Sequence, residues 1–294
     1  MVPGVDCVGI ITSVGTLAIK AGLDVGDRVA ALSMNGCTAK YIRLKIDEVI
    51  KVPEDVDPAE GVAVIRTYTA AFQALMLNVT GMNRYSRKPM HGDKVLIVGP
   101  CGLFERALVE LSTYLGAKRV YFSCTSTNQK SHDMYIRMMG AKPLSADPED
   151  WSEDLEGKID VAIDSAGIDR FEHSYGSLHE NGILVVTGMK SLENNDFISN
   201  VERTWVNAYV AMNPRCDTYD GVIENFFRNR KQFMKDLIFL FNALEKGRIK
   251  PKVATRIPMK KVAAAQERLD VNPESLERRG VIVVEPWMLP EDES

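Results

Sequence analysis

The sequence has 294 residues, enough for two domains of ordinary size, and a formal net charge of -4 at pH 7. Hydrophobic residues make up 45% and charged residues 26%, which is a normal balance for a globular protein. The sequence has no basic stripe, which argues against nucleic-acid binding, and no apolar run near the roughly 18 residues of a membrane span. Its five cysteines lack the two-residue spacing of zinc or redox motifs and are odd in number, which favours a reducing cytoplasmic or organellar compartment.

Short apolar runs broken by glycine occupy the first part of the chain. Residues 8–12, 27–32 and 41–44 are such runs. Regularly spaced short strands with turn signals between them are typical of a small β-barrel. We therefore assign residues 1–68 to part of a barrel-like substrate domain.

Strands and helices alternate in the middle of the chain. The predicted strands are residues 94–98, 119–124, 160–164, 183–187 and 208–212. Between the first two, apolar residues recur at helical spacing and predict a helix over residues 103–115 that ends at Gly116. Near-continuous β-branched runs that alternate with helices predict a parallel sheet covered on both faces, as in a Rossmann domain.

The Rossmann domain is predicted to span residues 69–248, and residues 249–294 return to short strands of the barrel-like domain, of which 280–285 is the clearest. The last predicted Rossmann strand, 208–212, would lie at the edge of the sheet. An unpaired apolar edge invites pairing with a second chain. The sequence therefore predicts a homodimer or a subunit of a larger assembly.

The loop after the first Rossmann strand lies where such domains bind a pyrophosphate, through close backbone approach at glycines and the N–H groups of a helix N-terminus. Gly99 and Gly102 are present in this loop. The G-x-G-x-x-G spacing is absent, because Pro100 and Glu105 stand at the first and third glycine positions. A carboxylate about 5 Å from a phosphate charge repels it by roughly 3 kcal/mol at an effective dielectric of about 20. Two interpretations stay open, a weakened phosphate site that Arg106 partly offsets and a purely structural turn.

The end of the second Rossmann strand selects between NAD and NADP. An NAD site places a carboxylate there for the ribose 2′-hydroxyl. Residues 124–130 carry hydroxyls and Lys130 but no carboxylate. The sequence favours NADP(H), with Ser126 and Lys130 as candidates for the 2′-phosphate, although such residues are also common in turns.

The order of several segments resembles the medium-chain dehydrogenase/reductase superfamily, and within it the zinc-independent, zeta-crystallin-type quinone oxidoreductases. The matching segments run through nearly the whole chain and are residues 2–9, 25–30, 56–60, 92–97, 164–167, 181–186 and 247–251. The resemblance implies an α/β fold, with a Rossmann doubly wound parallel sheet and a partial GroES-like β-barrel domain. The opening barrel strands of that family are not represented here, so we expect a degenerate or N-terminally truncated member.

The resemblance also implies candidate site residues. Members of the family commonly have a threonine near the nicotinamide, whose position falls on Ala70, with Thr69 adjacent, and Tyr68 is a weak candidate for a catalytic proton donor. The candidate cofactor-binding residues are Thr69, Gly99, Gly102, Ser126, Lys130, Ser165, Gly167 and Gly188.

A zinc site is not expected. Zinc-dependent relatives place a His-Glu pair where this chain has Val5 and Asp6, and the four-cysteine structural lobe is missing. His173 and His179, six residues apart on a predicted helix, do not share a face, so the histidines form no tetrahedral ligand set.

Two functions of different class follow from these observations. The first is an NADPH-dependent reductase of quinones or α,β-unsaturated carbonyls (enones) with weak or lost activity. The alternative is a catalytically inactive, reductase-derived scaffold or accessory subunit of a larger assembly. The missing glycines and the intruding Glu105 fit the second function, and fold alone does not decide between the two.

Overall fold

The computed structural model describes residues 2–77, 92–125, 129–187, 197–219, 221–271 and 280–288. The chain divides into two compact units: Met1–Thr69 with Asn229–Ser294, and Ala70–Arg228. In chain order the strands are β1 Asp6–Ile10, β2 Arg28–Leu32, β3 Val49–Lys51, β4 Lys94–Gly99, β5 Arg119–Cys124, β6 Lys142–Leu144, β7 Ile159–Asp164, β8 Leu178–Val186, β9 Cys216–Thr218, β10 Val253–Pro258 and β11 Val281–Glu285. The helices are α1 Thr16–Lys20, α2 Pro58–Ala63, α3 Thr69–Leu75, α4 Leu103–Tyr114, α5 Gln129–Met138, α6 Ser152–Leu155, α7 Phe171–Gly176, α8 Phe197–Met212, α9 Val222–Arg228, α10 Arg230–Glu245 and α11 Val262–Val271.

The second unit is built on a six-stranded sheet in the order β6-β5-β4-β7-β8-β9. Every neighbouring pair in this sheet is parallel. The order corresponds to the doubly wound arrangement, in which the chain crosses from one half of the sheet to the other beside its first strand. The predicted α/β class and parallel sheet are confirmed.

β4 is a central strand because it pairs with β5 on one side and β7 on the other. Its residues Val95, Leu96, Ile97 and Val98 are fully buried, as expected for a strand covered on both faces. α4 contacts β4 and β5 with a buried face that includes Leu108. The predicted placement of this strand and helix is confirmed.

The predicted strand at residues 208–212 is wrong, since these residues form the end of α8. Val206, Tyr209 and Val210 pack in the core of the second unit with spacings of three and four residues, which is helical periodicity. A short apolar run does not separate strand from helix by itself, and here the longer pattern decides. The last strand of the sheet is β9 instead, so the predicted dimer contact through residues 208–212 loses its structural basis.

Two further sequence predictions differ from the structure. Residues 41–44 form no strand; the side chain of Tyr41 instead lies edge-on to that of Trp287, with ring centroids 5.5 Å apart. His179 is the second residue of β8 and does not lie on a helix with His173; its ring nitrogen lies 2.7 Å from the carboxylate of Asp160 on the neighbouring strand β7, within hydrogen-bond distance.

The first unit contains the antiparallel sheet β1-β2-β3 and the parallel pair β10-β11. Its helices α2 and α10 meet at Gly61, where an added Cβ would lie 3.3 Å from Val8 and 3.5 Å from Phe241. This close packing explains why residues 229–248 group with the first unit, whereas the sequence pattern predicts them in the Rossmann domain. No helix within the described part of the chain is long and apolar enough to cross a membrane.

Asp164 ends β7 with a fully buried carboxylate. The N–H of Ala166 donates to it at 2.9 Å and the hydroxyl of Ser174 donates at 2.6 Å, which fixes the turn after the strand. Burial raises the pKa of Asp164 to about 6, against the lowering effect of these hydrogen bonds. The carboxyl is therefore costly to ionise in the folded state.

We expect the free energy of unfolding of the wild type to fall, relative to that of Asp164→Asn, as the pH rises from about 4 to about 7. The folded pKa of about 6 exceeds the ordinary value of 3.8, so the stabilisation is complete below the unfolded pKa and is lost through the folded one. The relative loss should be about 3 kcal/mol, from roughly two pKa units. Urea titrations of both proteins at several pH values measure it, and a constant difference would contradict it.

Candidate functional site

The candidate site lies at the carboxyl edge of the sheet in the second unit. Val98 of β4 stands opposite Asp164 of β7, which in turn stands opposite Val186 of β8. The residues that follow these strands are therefore neighbours in space. Such an edge is where open parallel sheets bind their ligands.

The side chain of Glu105 occupies the loop between β4 and α4. Its carboxylate accepts hydrogen bonds from the N–H of Gly102 at 2.9 Å and from the hydroxyl of Ser165 at 2.7 Å. The side chain is only 4% exposed. Glu105 thus joins two of the predicted cofactor residues, one from each of the neighbouring strand ends.

Gly102 is the N-cap residue of α4, and Glu105 is the third residue of the helix. This is the spacing at which a glutamate side chain reaches back to the N-cap N–H. The N-terminus of a helix also favours negative charge, because the peptide dipoles point that way. Glu105 therefore serves as an internal anion at the place where a Rossmann helix receives a phosphate.

Side chains of Ser165 and Glu105 fill the space beside Gly99 in the loop. A Cβ added at this residue would lie 2.1 Å from the hydroxyl oxygen of Ser165 and 3.0 Å from the Glu105 carboxylate. One added at Gly102 would lie 3.0 Å from the same carboxylate. The space that glycines keep open for a pyrophosphate in Rossmann loops holds protein side chains here. The loop, with Glu105 in this position, does not fit a pyrophosphate.

Burial raises the pKa of Glu105, while the hydrogen bonds from Ser165 and from backbone N–H groups act in the opposite direction. Arg106, the predicted compensating charge for a phosphate, donates a hydrogen bond to the hydroxyl of Tyr135 on α5. Its guanidinium carbon lies 5.4 Å from the centre of that ring. Arg106 is thus held against α5.

The other predicted site residues are distributed over the chain. Gly167 has a φ of 124° in the turn after β7, a conformation that favours glycine. Lys130 lies in α5, but its side chain is outside the described residues, as are Ser126 and Gly188. Their proposed contacts stay predictions.

Tyr68 and Thr69 belong to the first unit, at the junction of a π-helical turn with α3. Tyr68 is 3% exposed and Thr69 is fully buried, with its hydroxyl donating to the carbonyl of Val64 at 3.4 Å. A role of either residue at a nicotinamide stays a prediction. Within the described ranges, no group of three or more His, Cys, Asp and Glu residues is arranged to hold a metal ion.

The contact between Ser165 and Glu105 was not foreseen from the sequence. The two residues are 60 positions apart, and no spacing rule connects them. The only signal was that each follows a predicted strand of the same parallel sheet, whose carboxyl ends meet at one edge.

Comparisons with known proteins place this site in context. A family model described as zinc-binding dehydrogenase matches residues 140–284. The chain is 25% identical over 204 residues to a highly reducing polyketide synthase of Emericella nidulans, covering 67% of this chain and 8% of that protein. It is 25% identical over 279 residues to the quinone oxidoreductase of Homo sapiens, covering 91% of this chain and 75% of that protein. The chain thus spans under a tenth of the synthase.

Solved structures share the fold at low identity. 2-Haloacrylate reductase has a TM-score of 0.75 at 21% identity, over 98% of this chain and 84% of that one. A Pseudomonas syringae quinone oxidoreductase has a TM-score of 0.68 at 20% identity, over 97% and 82% of the two chains. A mycobacterial protein complexed with NADPH has a TM-score of 0.68 at 23% identity, over 96% and 82%.

A double-mutant cycle between Glu105→Ala and Ser165→Ala should give an interaction energy of about 1–2 kcal/mol in the free energy of unfolding. A hydrogen bond to a buried carboxylate is stronger than one between neutral groups, and neighbours in one network are not additive. Urea denaturation of the four proteins measures the coupling. The matched cycle pairs Ser165→Ala with Glu110→Ala, further along α4, and should be additive. Equal interaction energies in both cycles would show that Glu105 and Ser165 are not specifically coupled.

Proposed function

We propose that this chain is a quinone oxidoreductase-like reductase of the medium-chain dehydrogenase/reductase superfamily. We further propose that its own Glu105 holds down its affinity for NADP(H). The substrate class that fits the relatives is a quinone or another electron-poor double bond conjugated to a carbonyl. Activity at neutral pH is weak because the cofactor is bound weakly.

The class of reaction is supported by what the relatives are. Quinone oxidoreductases align over 91% of this chain, and an enoyl reductase is among the proteins of the same fold, with a TM-score of 0.71. In such enzymes the nicotinamide supplies the hydride, and the protein supplies orientation and exclusion of water. Because the loop as folded does not fit a pyrophosphate, we assign no hydride-transfer step to individual residues of this chain.

One observation carries the proposal, namely the buried Glu105 carboxylate bonded to the N–H of Gly102 and the hydroxyl of Ser165. A pyrophosphate at this loop would meet a like charge where it needs hydrogen-bond donors. A repulsion of roughly 3 kcal/mol, for charges about 5 Å apart, corresponds to about a hundredfold loss of affinity. Binding therefore requires that the carboxylate be neutralised or displaced.

Glu105→Gly, and more so Glu105→Gly with Pro100→Gly, should strengthen NADPH binding at least about tenfold. The change removes the roughly 3 kcal/mol repulsion and costs about 1 kcal/mol in helix propensity. Calorimetry with NADPH measures both dissociation constants. Glu110→Gly is the matched control, because it makes the same exchange on α4 without opening the loop, and it should leave the affinity unchanged. A wild type that binds NADPH at low micromolar concentration, with no gain in the variant, would show that the loop is a working phosphate site.

The affinity of the wild type for NADP⁺ should rise as the pH falls from about 8 to about 5. Burial raises the pKa of Glu105, so protonation removes the repelling charge at a higher pH than it would for an exposed glutamate. Glu105→Gln keeps the shape and loses the charge; it should bind more tightly than the wild type at neutral pH, and the ratio of the two constants should shrink with acidification. The phosphates of NADP⁺ change protonation with pH in the same way for the wild type and for Glu105→Gln. The ratio of the two dissociation constants therefore reports on Glu105 alone. A ratio that does not change with pH would contradict charge as the cause.

The same observation favours a second candidate, a catalytically inactive accessory subunit that keeps the reductase fold. The two candidates separate in the Glu105→Gly protein. NADPH-dependent reduction of a simple quinone or enone, followed at the nicotinamide absorbance and exceeding the wild-type rate at least about tenfold, supports the reductase. Tight NADPH binding without turnover of any tested quinone or enone supports the accessory subunit.

A further inference from the structure

A surface cavity of about 380 Å³ lies in the second unit, between α8 and the turn that leads into α7. Its walls are the side chains of Asp169, Glu172, Trp205, Tyr209 and Met212. Sites for small molecules have volumes of roughly 300–1,000 Å³, so this cavity has room for a compact ligand. The proposed reductase function does not involve it.

The cavity lies on the opposite face of the six-stranded sheet from α4. The chain steps from β4 through α4 to β5 in one direction along the sheet, and from β7 through α7 and α8 to β9 in the other direction. Because crossovers between parallel strands are right-handed, α4 covers one face and α7 and α8 cover the other. Phe171 of α7 and Val206 of α8 accordingly share one core cluster, against which Tyr209 packs. The cavity is therefore separate from the loop that contains Glu105.

Three walls of the cavity come from one face of α8. Trp205, Tyr209 and Met212 follow each other at spacings of four and three residues, so their side chains lie side by side along the helix. The ring of Tyr209 packs against those of Phe171 and Tyr175, with centroid distances of 5.7 and 6.4 Å. Trp205 is 62% exposed and Met212 is 71% exposed. Beside a fixed tyrosine ring, α8 thus presents an indole with open surface.

The other two walls are carboxylates. Asp169 and Glu172 are exposed and carry negative charge at neutral pH. Neither forms an ion pair within the described part of the chain. The guanidinium of Arg170 donates to a backbone carbonyl, and that of Arg215 lies 4.6 Å from the centre of the Tyr175 ring. The charge of the cavity is therefore left for a ligand to balance.

Aromatic rings beside unbalanced carboxylates favour an organic cation as the ligand. A cation is attracted to the face of an aromatic ring, most strongly to tryptophan, and quaternary ammonium groups are recognised in this way. The methyl groups of such a ligand also contact apolar surface, which the soft and polarisable side chain of Met212 supplies here. A neutral quinone or enone would gain nothing from the two carboxylates.

We propose that the cavity between α7 and α8 binds a small organic cation of the quaternary ammonium class. The rings of Trp205 and Tyr209 contact the methyl groups on the cationic nitrogen, and the carboxylates of Asp169 and Glu172 balance its charge. The proposal is independent of the proposed reductase function.

The first test compares choline with its uncharged isostere 3,3-dimethyl-1-butanol, by calorimetry on the full chain at constant ionic strength. Choline should bind at least about tenfold more tightly, because the two molecules differ in charge and hardly in shape. Glu105→Gln should bind choline as the wild type does, which separates this cavity from the cofactor loop. Equal affinities for the two molecules, or no binding of choline at millimolar concentration, would overturn the proposal.

The second test concerns the indole. Trp205→Ala should weaken choline binding at least about tenfold, and Trp205→Phe should weaken it less, because a phenyl ring keeps part of the attraction. Trp287→Ala is the matched control, since Trp287 is 60% exposed, like Trp205, but lies in the first unit. An equal loss in both alanine variants would rule out a site at Trp205. Circular dichroism checks folding, and Trp205→Phe carries the test if Trp205→Ala is unfolded.

The third test concerns the carboxylates. Asp169→Asn with Glu172→Gln should weaken choline binding at least about fivefold and leave the binding of the isostere unchanged. Glu156→Gln, which removes an exposed carboxylate elsewhere in the second unit, should have no effect. Sedimentation of the wild type examines a second copy of the chain as the occupant of this face. A dimer that Trp205→Ala dissociates, together with absent choline binding, would assign the face to that copy and overturn the proposal.

Discussion

The buried carboxylate of Glu105 is the constraint around which the loop between β4 and α4 is arranged. A charge withdrawn from water is costly unless hydrogen-bond donors surround it. The donors come from two separate segments, the backbone at the start of α4 and the hydroxyl of Ser165 after β7. These segments are adjacent only because β4 and β7 pair in parallel in the sheet. The order of the strands therefore determines whether the carboxylate can be accommodated at all.

The Glu105 carboxylate also changes how the glycines of the loop between β4 and α4 are interpreted. In a nucleotide-binding loop, a glycine leaves room for the backbone to approach a phosphate. At Gly99 the room is taken by the side chains of Ser165 and Glu105, and a Cβ there would collide with the former at 2.1 Å. The protein's own packing accounts for the glycine. Its presence is therefore no argument for a bound nucleotide.

Much of the sheet was predictable from the sequence, because its strands are buried on both faces and appear as continuous apolar runs. β5 has the predicted limits of residues 119 and 124, and β4 is longer than predicted by one residue. The segment 208–212 was not predictable in isolation, since five apolar residues fit either periodicity, and its helical packing became clear only with Val206 included. The site was partly predictable: the position of Glu105 follows from local helix capping, whereas its bond to Ser165 depends on the pairing of β4 with β7.

Folding and cofactor binding make opposite demands on the start of α4. The N–H groups there are satisfied by the Glu105 carboxylate in the structure, or by a phosphate if the carboxylate is absent, but the two anions do not fit together. A charged group at a helix N-terminus stabilises the fold by about 0.3–1 kcal/mol, and a lost cap costs about 1 kcal/mol. The like-charge repulsion between Glu105 and a phosphate, roughly 3 kcal/mol for charges about 5 Å apart, exceeds each of these two contributions. Burial raises the pKa of Glu105. An ionised Glu105 therefore lowers the free energy of unfolding. With the bond to Ser165 included, removal of the carboxylate is expected to change the free energy of unfolding and the free energy of cofactor binding by amounts of the same order, in opposite directions.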